Sequence, residues 1–410
     1  MLRVFGALVF AALLSACASV SNIKPLTEEG IDQSEYAEDI ARLKQESEWL
    51  HGEFKRKGLL YRDQQSNDYI RGLAQRIAPD LADSDVSINI YYVKNATPNA
   101  IALPNGDIYL FSGLMALVQN EDQLATVVAH EIGHVVHQHG LKGAINRRHT
   151  VVAAHITNIF LFGTSLAYLP AGASLASFSR NMEQEADQIG LTYMHAAGFS
   201  VNESVKVFER FGALPKANSI AGSIYSSHPK NQQRIEYLSQ TIEEHYPQPH
   251  AKQASDGFEQ IRARMVELNV KLRLRAKQYQ MALDLLDEAQ TYYDQNEKIT
   301  YYRGEVYRLM AEYPESAAKE RAWLQERSVR EEDRQTFRDQ VPENRGKALQ
   351  LFSELEDSAT APMEVHRGLG LIYLAQENNA RAKQHLQVYL DQPTAPKDRL
   401  FIQHKLDSIQ

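Results

Sequence analysis

The chain has 410 residues, 43% of them hydrophobic and 23% charged, with a formal net charge of −8. That length exceeds one ordinary domain and supplies apolar material for two or three cores. The acidic balance, with no basic stripe anywhere along the chain, excludes a nucleic-acid footprint, so no nucleic-acid partner is expected.

In chain order, residues 1–16 read as a secretory signal: Arg3 precedes an apolar run from Val4 to Leu14, too short for a permanent membrane span. Leu14-Ser15-Ala16-Cys17 resembles the bacterial lipobox, which implies lipid attachment at Cys17. Cys17 is the only cysteine, so it has no disulfide partner, and thioether formation would remove a free thiol from an oxidising compartment. Ala18 and Ser19 follow, neither of them Asp, and in the resemblance that implies sorting to the outer membrane. The expectation is a lipid-anchored protein on the periplasmic face of the outer membrane, with residues 17–33 as a tether.

A charge-rich helix is expected from Ser34 to about Lys57, with Ile40, Leu43, Trp49 and Leu50 as its apolar positions. A second, over 66–81, carries Tyr69, Ile70, Leu73, Ile77 and Leu81 at helical spacing. The stretch VSINIYYVK then alternates like a strand, and turn signals at Thr97-Pro98-Asn99 and Pro104-Asn105-Gly106 bound short extended runs. Two further helices carry TVVAHEIGHVVHQHG and SRNMEQEADQIGLTYMHAAG. Between them, residues 149–179 hold no formally charged side chain. Gly163, Pro170 and Gly172 interrupt that run, which favours a buried or membrane-facing hairpin over a membrane span.

Beyond Tyr246-Pro247-Gln248-Pro249 the composition shifts to long polar helices punctuated by Ala, Leu and Tyr. Leu369, Gly370 and Tyr373 precede Ala382 and Leu386 at tetratricopeptide spacing, and Ala348 and Phe352 stand 34 residues upstream of Ala382 and Leu386. Gly304 and Tyr307 suggest another unit. The fold class expected is α+β and mainly helical: a domain with a small sheet over 34–248 that carries the HExxH helix, of the zincin peptidase type in the resemblance set out below, then an all-α TPR-like helical repeat domain over 255–410.

The chemistry lies in His130-Glu131-Ile132-Gly133-His134. On a helix, positions i and i+4 share a face, so both imidazoles can meet one cation, while Glu131, rotated by about 100°, reaches a water there rather than the ion. Two histidines and one further ligand leave a position open, the arrangement that zinc hydrolysis needs. Glu183 and Asp187, four apart on one face of the later helix, supply candidates: Glu183 as the third ligand, Asp187 holding a ligand imidazole by its far N–H. Glu185 points elsewhere by periodicity. His137 and His139 fall off the ligand face and read as helix-end histidines near Gly140.

His-Glu-Ile-Gly-His, the later Glu-Gln-Glu-Ala-Asp, and the upstream run from Asn99-Ala100 through Asn105-Gly106-Asp107-Ile108 together resemble the M48 metalloprotease family over roughly residues 60–245. The resemblance implies one zinc ion per chain held by His130, His134 and Glu183, with Glu131 as general base. It also implies an edge strand, including Asn99, Ala100, Asn105, Gly106, Asp107 and Ile108, that pairs with extended substrate. A His-Pro segment at His228, followed by Arg234, implies a loop histidine over the metal, acting as a fourth ligand at rest or as an oxyanion stabiliser when displaced. The function implied is a zinc endopeptidase acting on misfolded or unassembled envelope proteins, with repeats that engage clients or the outer-membrane assembly machinery. A scaffold or chaperone with a closed zinc site uses the same motifs.

Overall fold

The computed structural model describes residues 23–28, 32–83, 87–146, 178–213, 228, 232–248, 250–251, 255–293 and 296–409. The expected signal, the lipid-attachment site at Cys17, much of the tether and the uncharged run up to residue 177 lie outside the described residues. The chain is mainly helical with one three-stranded sheet, and it divides into two compact units, residues 1–265 and 266–410.

In the first unit, helix α1 (Ala37–Arg56) buries Leu43, Ser47, Leu50 and Phe54, a stripe at helical spacing. Trp49, expected on that stripe, is 49% exposed because it lies one residue, about 100° of rotation, from Leu50. Helix α2 (Gln64–Ile77) begins where Asp63 Oδ1 accepts from Ser66 N at 2.9 Å. It ends at Ile77, short of the expected Leu81, because Pro79 disfavours helical backbone at the residue before it. Leu81 is nevertheless buried, in a 3₁₀ turn over Pro79–Asp83.

Strands β1 (Asn89–Val93), β2 (Ala100–Ala102) and β3 (Asp107–Phe111) form a sheet in the order β1-β3-β2. β1 runs parallel to β3, and β2 antiparallel to it. This corrects the expected edge strand: Asp107 and Ile108 lie on the central strand, whose two hydrogen-bonding sides are both taken. The reason is the turn at Leu103-Pro104-Asn105-Gly106, which folds β3 back between its neighbours, with Asn105 Nδ2 donating to Asp107 Oδ2 at 2.9 Å. Ala100 opens β2, a true edge strand, and Asn99 just before it accepts from Phe111 N at 3.0 Å. All five residues of β3 are buried, and Tyr109 and Phe111 pack with Leu50, Phe54, Val93 and Leu103.

β3 leads through the short helix α3 (Ser112–Leu117) into α4 (Glu121–Val136), then α5 (His139–Asn146). The unit continues with α6 (Arg180–Ala196), α7 (Asn202–Ala213), α8 (Gln232–His245) and the start of α9 (Asp256–Arg275). Residues 255–265, expected to open the repeat domain, are tied into this unit instead: Arg262 Nη1 donates to Gln119 O at 2.8 Å and Arg264 Nη1 to Asp63 Oδ1 at 2.7 Å.

The second unit is all-helical: α10 (Tyr279–Ala289), α11 (Asn296–Glu312), α12 (Pro314–Leu324), α13 (Glu331–Asp339), α14 (Val341–Ser353), α15 (Glu364–Ala375), α16 (Asn379–Leu390) and α17 (Arg399–Asp407). α12 packs on α13, α15 on α16, and α11 on α14. The Phe352 ring fills the seam between α11 and α15: a Cβ at Gly304 would fall 2.5 Å from its Cε1, and one at Gly368 would strike the same ring. Among the described residues, no helix is long and apolar enough to cross a membrane.

Candidate metal centre

The site is built by two helices that touch backbone to backbone. α4 starts at Asn120, whose side chain accepts from Gln123 N at 2.9 Å, and all its residues from Glu121 to Val136 are buried. The apolar turns around Val127, Val128, Ile132, Val135 and Val136 explain why this helix is central. Gly133 is what lets α6 approach. A Cβ there would lie 2.8 Å from Ala186 O and 2.9 Å from Ala186 Cα, closer than side-chain carbons come. With α6 lying that close, Glu183 and Asp187 are brought against the two motif histidines.

Four ligand-type groups converge: His130, His134, Glu183 and His228, all buried, with their donor atoms within 4.8 Å of one another. His130 Nε2 stands 3.0 Å from His134 Nε2 and 3.2 Å from His228 Nδ1. Glu183 Oε1 is 3.5 Å from His134 Nε2 and 3.0 Å from His228 Nδ1, and its Oε2 is 3.6 Å from His130 Nε2. A tetrahedral ion with bonds of about 2.0–2.1 Å has its ligand atoms roughly 3.3 Å apart, so these spacings suit one. The electrostatics agree. When ionised, the buried carboxylates of Glu131, Glu183 and Asp187 still outnumber the two cations that face them, the Arg234 guanidinium and a protonated His228, leaving an excess that a divalent cation offsets.

The surroundings orient the ligands. Asp187 Oδ1 lies 2.9 Å from His130 Nδ1, so His130 donates there and keeps its Nε2 lone pair for the centre. Arg234 Nε donates to Asp187 Oδ2 at 2.6 Å and its Nη1 to Glu183 Oε2 at 2.8 Å. Burial alone would raise the Asp187 carboxyl, but Arg234 and His130 outweigh it and hold it down at about 2. Burial and the neighbouring His130 keep His134 well below its ordinary range, hence neutral. For His228, burial acts downward, yet Glu183 and Glu131 outweigh it and hold the imidazole up at about 10. Among the described residues neither buried carboxylate oxygen of Glu131 meets hydrogen-bond geometry, and His228 Nε2 faces Oε1 from 3.3 Å. A buried carboxylate that faces an imidazole beside the cluster suits a group that exchanges protons there.

The structure therefore brings together His130, Glu131, His134, Glu183, Asp187, His228 and Arg234. It does not bring Asn105, Gly106 and Asp107 to them: Asp107 instead bonds Asn89 and Asn105. It also adds residues that the sequence reading passed over. Phe178 stacks on His134 with ring centroids 3.9 Å apart, and Phe208 lies 4.2 Å under the Arg234 guanidinium. His139, expected to be a helix-end histidine, is fully buried with Nδ1 2.8 Å from His134 Nδ1. The cause is Gln138, whose φ of +52° ends α4 and turns the chain back, so His139 starts a new helix beside the old one. Helical periodicity fails across such a break, so no sequence signal announced the contact.

Residues 64–242 match the family model described as Peptidase family M48. Over 193 residues the chain is 33% identical to the mitochondrial metalloendopeptidase OMA1 of Schizosaccharomyces pombe, covering 46% of this chain and 56% of that protein. It is 24% identical over 241 residues to the beta-barrel assembly-enhancing protease of Escherichia coli, covering 56% of this chain and 48% of that protein. Against the putative beta-barrel assembly-enhancing protease of Vibrio cholerae it is 28% identical over 184 residues, covering 41% and 37%. The chain spans about half the length of the curated relatives it matches.

Proposed function

We propose that residues 64–242 work as a zinc-dependent endopeptidase on misfolded or unassembled cell-envelope proteins. The observation that carries this reading is the convergence of His130, His134, Glu183 and His228 beside the buried Glu131 carboxylate. The match to the M48 family model and the metalloendopeptidase relatives support the reaction class. His130, His134 and Glu183 would hold the ion, and two neutral imidazoles with one carboxylate favour zinc. A cation in that position supplies charge stabilisation to a developing oxyanion and makes water acidic enough to act at neutral pH.

The chain's own groups do the rest. Glu131 takes a proton from the attacking water and returns it to the leaving amine nitrogen. Asp187 fixes His130, and Arg234 holds Asp187 and Glu183 in register. The outer side of β2, at Ala100–Ala102, would pair with an extended peptide through main-chain hydrogen bonds, which suits clients without fixed sequence. β2 packs against α4, so such a strand would run beside the histidines.

For the second unit, the glycine-lined helix seams support tetratricopeptide-like repeats that recruit clients or an outer-membrane assembly machine. The name of the E. coli relative supports the assembly connection. Attachment at Cys17 would keep the enzyme on the periplasmic face of the outer membrane. A second reading, a scaffold or chaperone with a silent centre, is favoured by one observation: His228 fills the fourth position beside Glu131.

The test is zinc content together with casein cleavage for wild type and Glu131→Gln. The expected result is one zinc per chain in both, with cleavage lower in the variant by roughly 10²–10⁴-fold, the usual worth of a general base. Full cleavage by the zinc-loaded variant would remove Glu131 from its role, and zinc without cleavage in any form would favour the scaffold.

A further inference from the structure

We propose that Glu185 and His139 form a hydrogen-bond relay that sets the tautomer of His134 and so aims its Nε2 lone pair at the metal centre. This rests on the reading above that His134 is a metal ligand. His139 Nδ1 lies 2.8 Å from His134 Nδ1, and His139 Nε2 lies 3.0 Å from Glu185 Oε2. Neither pair flanks the proposed ion, so at such distances each needs one N–H and one acceptor, whereas the Nε2 lone pairs of His130 and His134, 3.0 Å apart, converge on the cation itself. An ionised carboxylate only accepts, so the proton of His139 sits on Nε2 and points at Glu185. Nδ1 of His139 is then a lone pair and accepts the Nδ1–H of His134. His134 is left with its Nε2 lone pair directed at His130, Glu183 and His228.

Asp187 performs the same task for His130 in one step. For His134 the carboxylate acts through an intervening imidazole, and it does so from a side chain that is 43% exposed. His137 Nδ1 also lies 3.5 Å from Glu185 Oε2, so His137, His139 and Glu185 have the outline of a second cation site. Two features argue against that use. Lys142 Nζ stands 3.7 Å from the same carboxylate oxygen, so a cation already faces it. A metal on His139 Nε2 would also drive the His139 proton to Nδ1, where it opposes the Nδ1–H of His134. His134 would then have to carry its proton on Nε2 and would leave the first site.

The experiment measures zinc affinity of the full chain by competition with a chromogenic chelator, for wild type, Glu185→Leu, Glu185→Gln, His139→Asn and His137→Ala. Histidine ¹⁵N spectra of the metal-free forms report the tautomer of His134. Glu185→Leu is expected to lose roughly 10–100-fold in affinity, the usual effect of removing a partner behind a ligand histidine. Glu185→Gln, whose amide oxygen still accepts, should lose less, and His137→Ala should stay within about twofold of wild type. His134 should be the Nδ1–H tautomer in wild type and a mixture in Glu185→Leu. Because Glu185 is half-exposed, its variants remain informative even if His139→Asn does not fold. Wild-type affinity and an unmixed tautomer in Glu185→Leu would overturn the relay. Two zinc ions per wild-type chain, one of them lost in His137→Ala, would overturn it in favour of a second site. A wild type that binds no zinc would overturn instead the metal-centre reading on which the relay depends.

Discussion

His228 Nε2 lies 3.3 Å from Glu131 Oε1, while its Nδ1 lies 3.0 Å from Glu183 Oε1. A single imidazole therefore spans the carboxylate proposed to move protons and the one proposed to hold the ion. In this arrangement the imidazole stands close to the distance from Glu131 Oε1 that a water bound to that oxygen would take.

Replacing that imidazole should open the site. His228→Ala is expected to raise casein cleavage at equal zinc occupancy, by about tenfold if the closed arrangement is favoured by about 1.4 kcal/mol. The comparison is cleavage rate per bound zinc. A fall in rate with zinc retained would place His228 at the developing oxyanion rather than over a closed site. An unchanged rate would deny it both roles.

The parts of this centre that were legible in the sequence are those set by one helix. His130 and His134 share a face because of the i, i+4 period, and Glu183 and Asp187 share another for the same reason. What was illegible depends on contacts between segments. The central position of β3 is a matter of long-range pairing that alternation along a strand does not encode. His139 was hidden by a left-handed turn at a glutamine, a residue without the usual glycine signal. Phe178 sits outside any periodic element and gave no pattern to read. In the second unit the small residues at Gly304 and Gly370 were visible as spacing, but the aromatic wedge at Phe352 that needs Gly368 as well was not.

That wedge gives a paired stability test. At Gly368 an added methyl would strike the Phe352 ring, which is fully buried and also pressed by Gly304. Gly368→Ala should therefore destabilise the second unit by about 1–3 kcal/mol through overpacking. Gly346, inside α14, is exposed, and a methyl added there would meet nothing within 4 Å. At that position the same substitution only removes backbone freedom from the unfolded chain, so Gly346→Ala should stabilise by about 0.5–1 kcal/mol. Urea unfolding of both variants checks the contrast, and equal signs would mean that Phe352 does not fill the seam.

The last test uses a carboxylate far from the metal centre. Glu320, on α12, is buried and accepts from Gln280 N at 2.9 Å and Met281 N at 3.2 Å, at the start of α10. Burial raises its carboxyl from 4.5 to about 7, outweighing those backbone donors and the more distant Arg273. A group with a raised folded value binds its proton more tightly in the folded state. Its contribution is therefore fully present below 4.5 and is lost as the pH rises toward about 7. The loss amounts to about 3 kcal/mol by pH 8 at the usual conversion. Glu320→Gln keeps an acceptor oxygen for the helix start but cannot ionise. Its stability should match wild type near pH 4.5 and exceed it at pH 8, so the difference between the two denaturation curves should grow with pH. A constant difference from pH 4.5 to 8 would mean that the backbone donors at α10 hold the ionised carboxylate as well as water does.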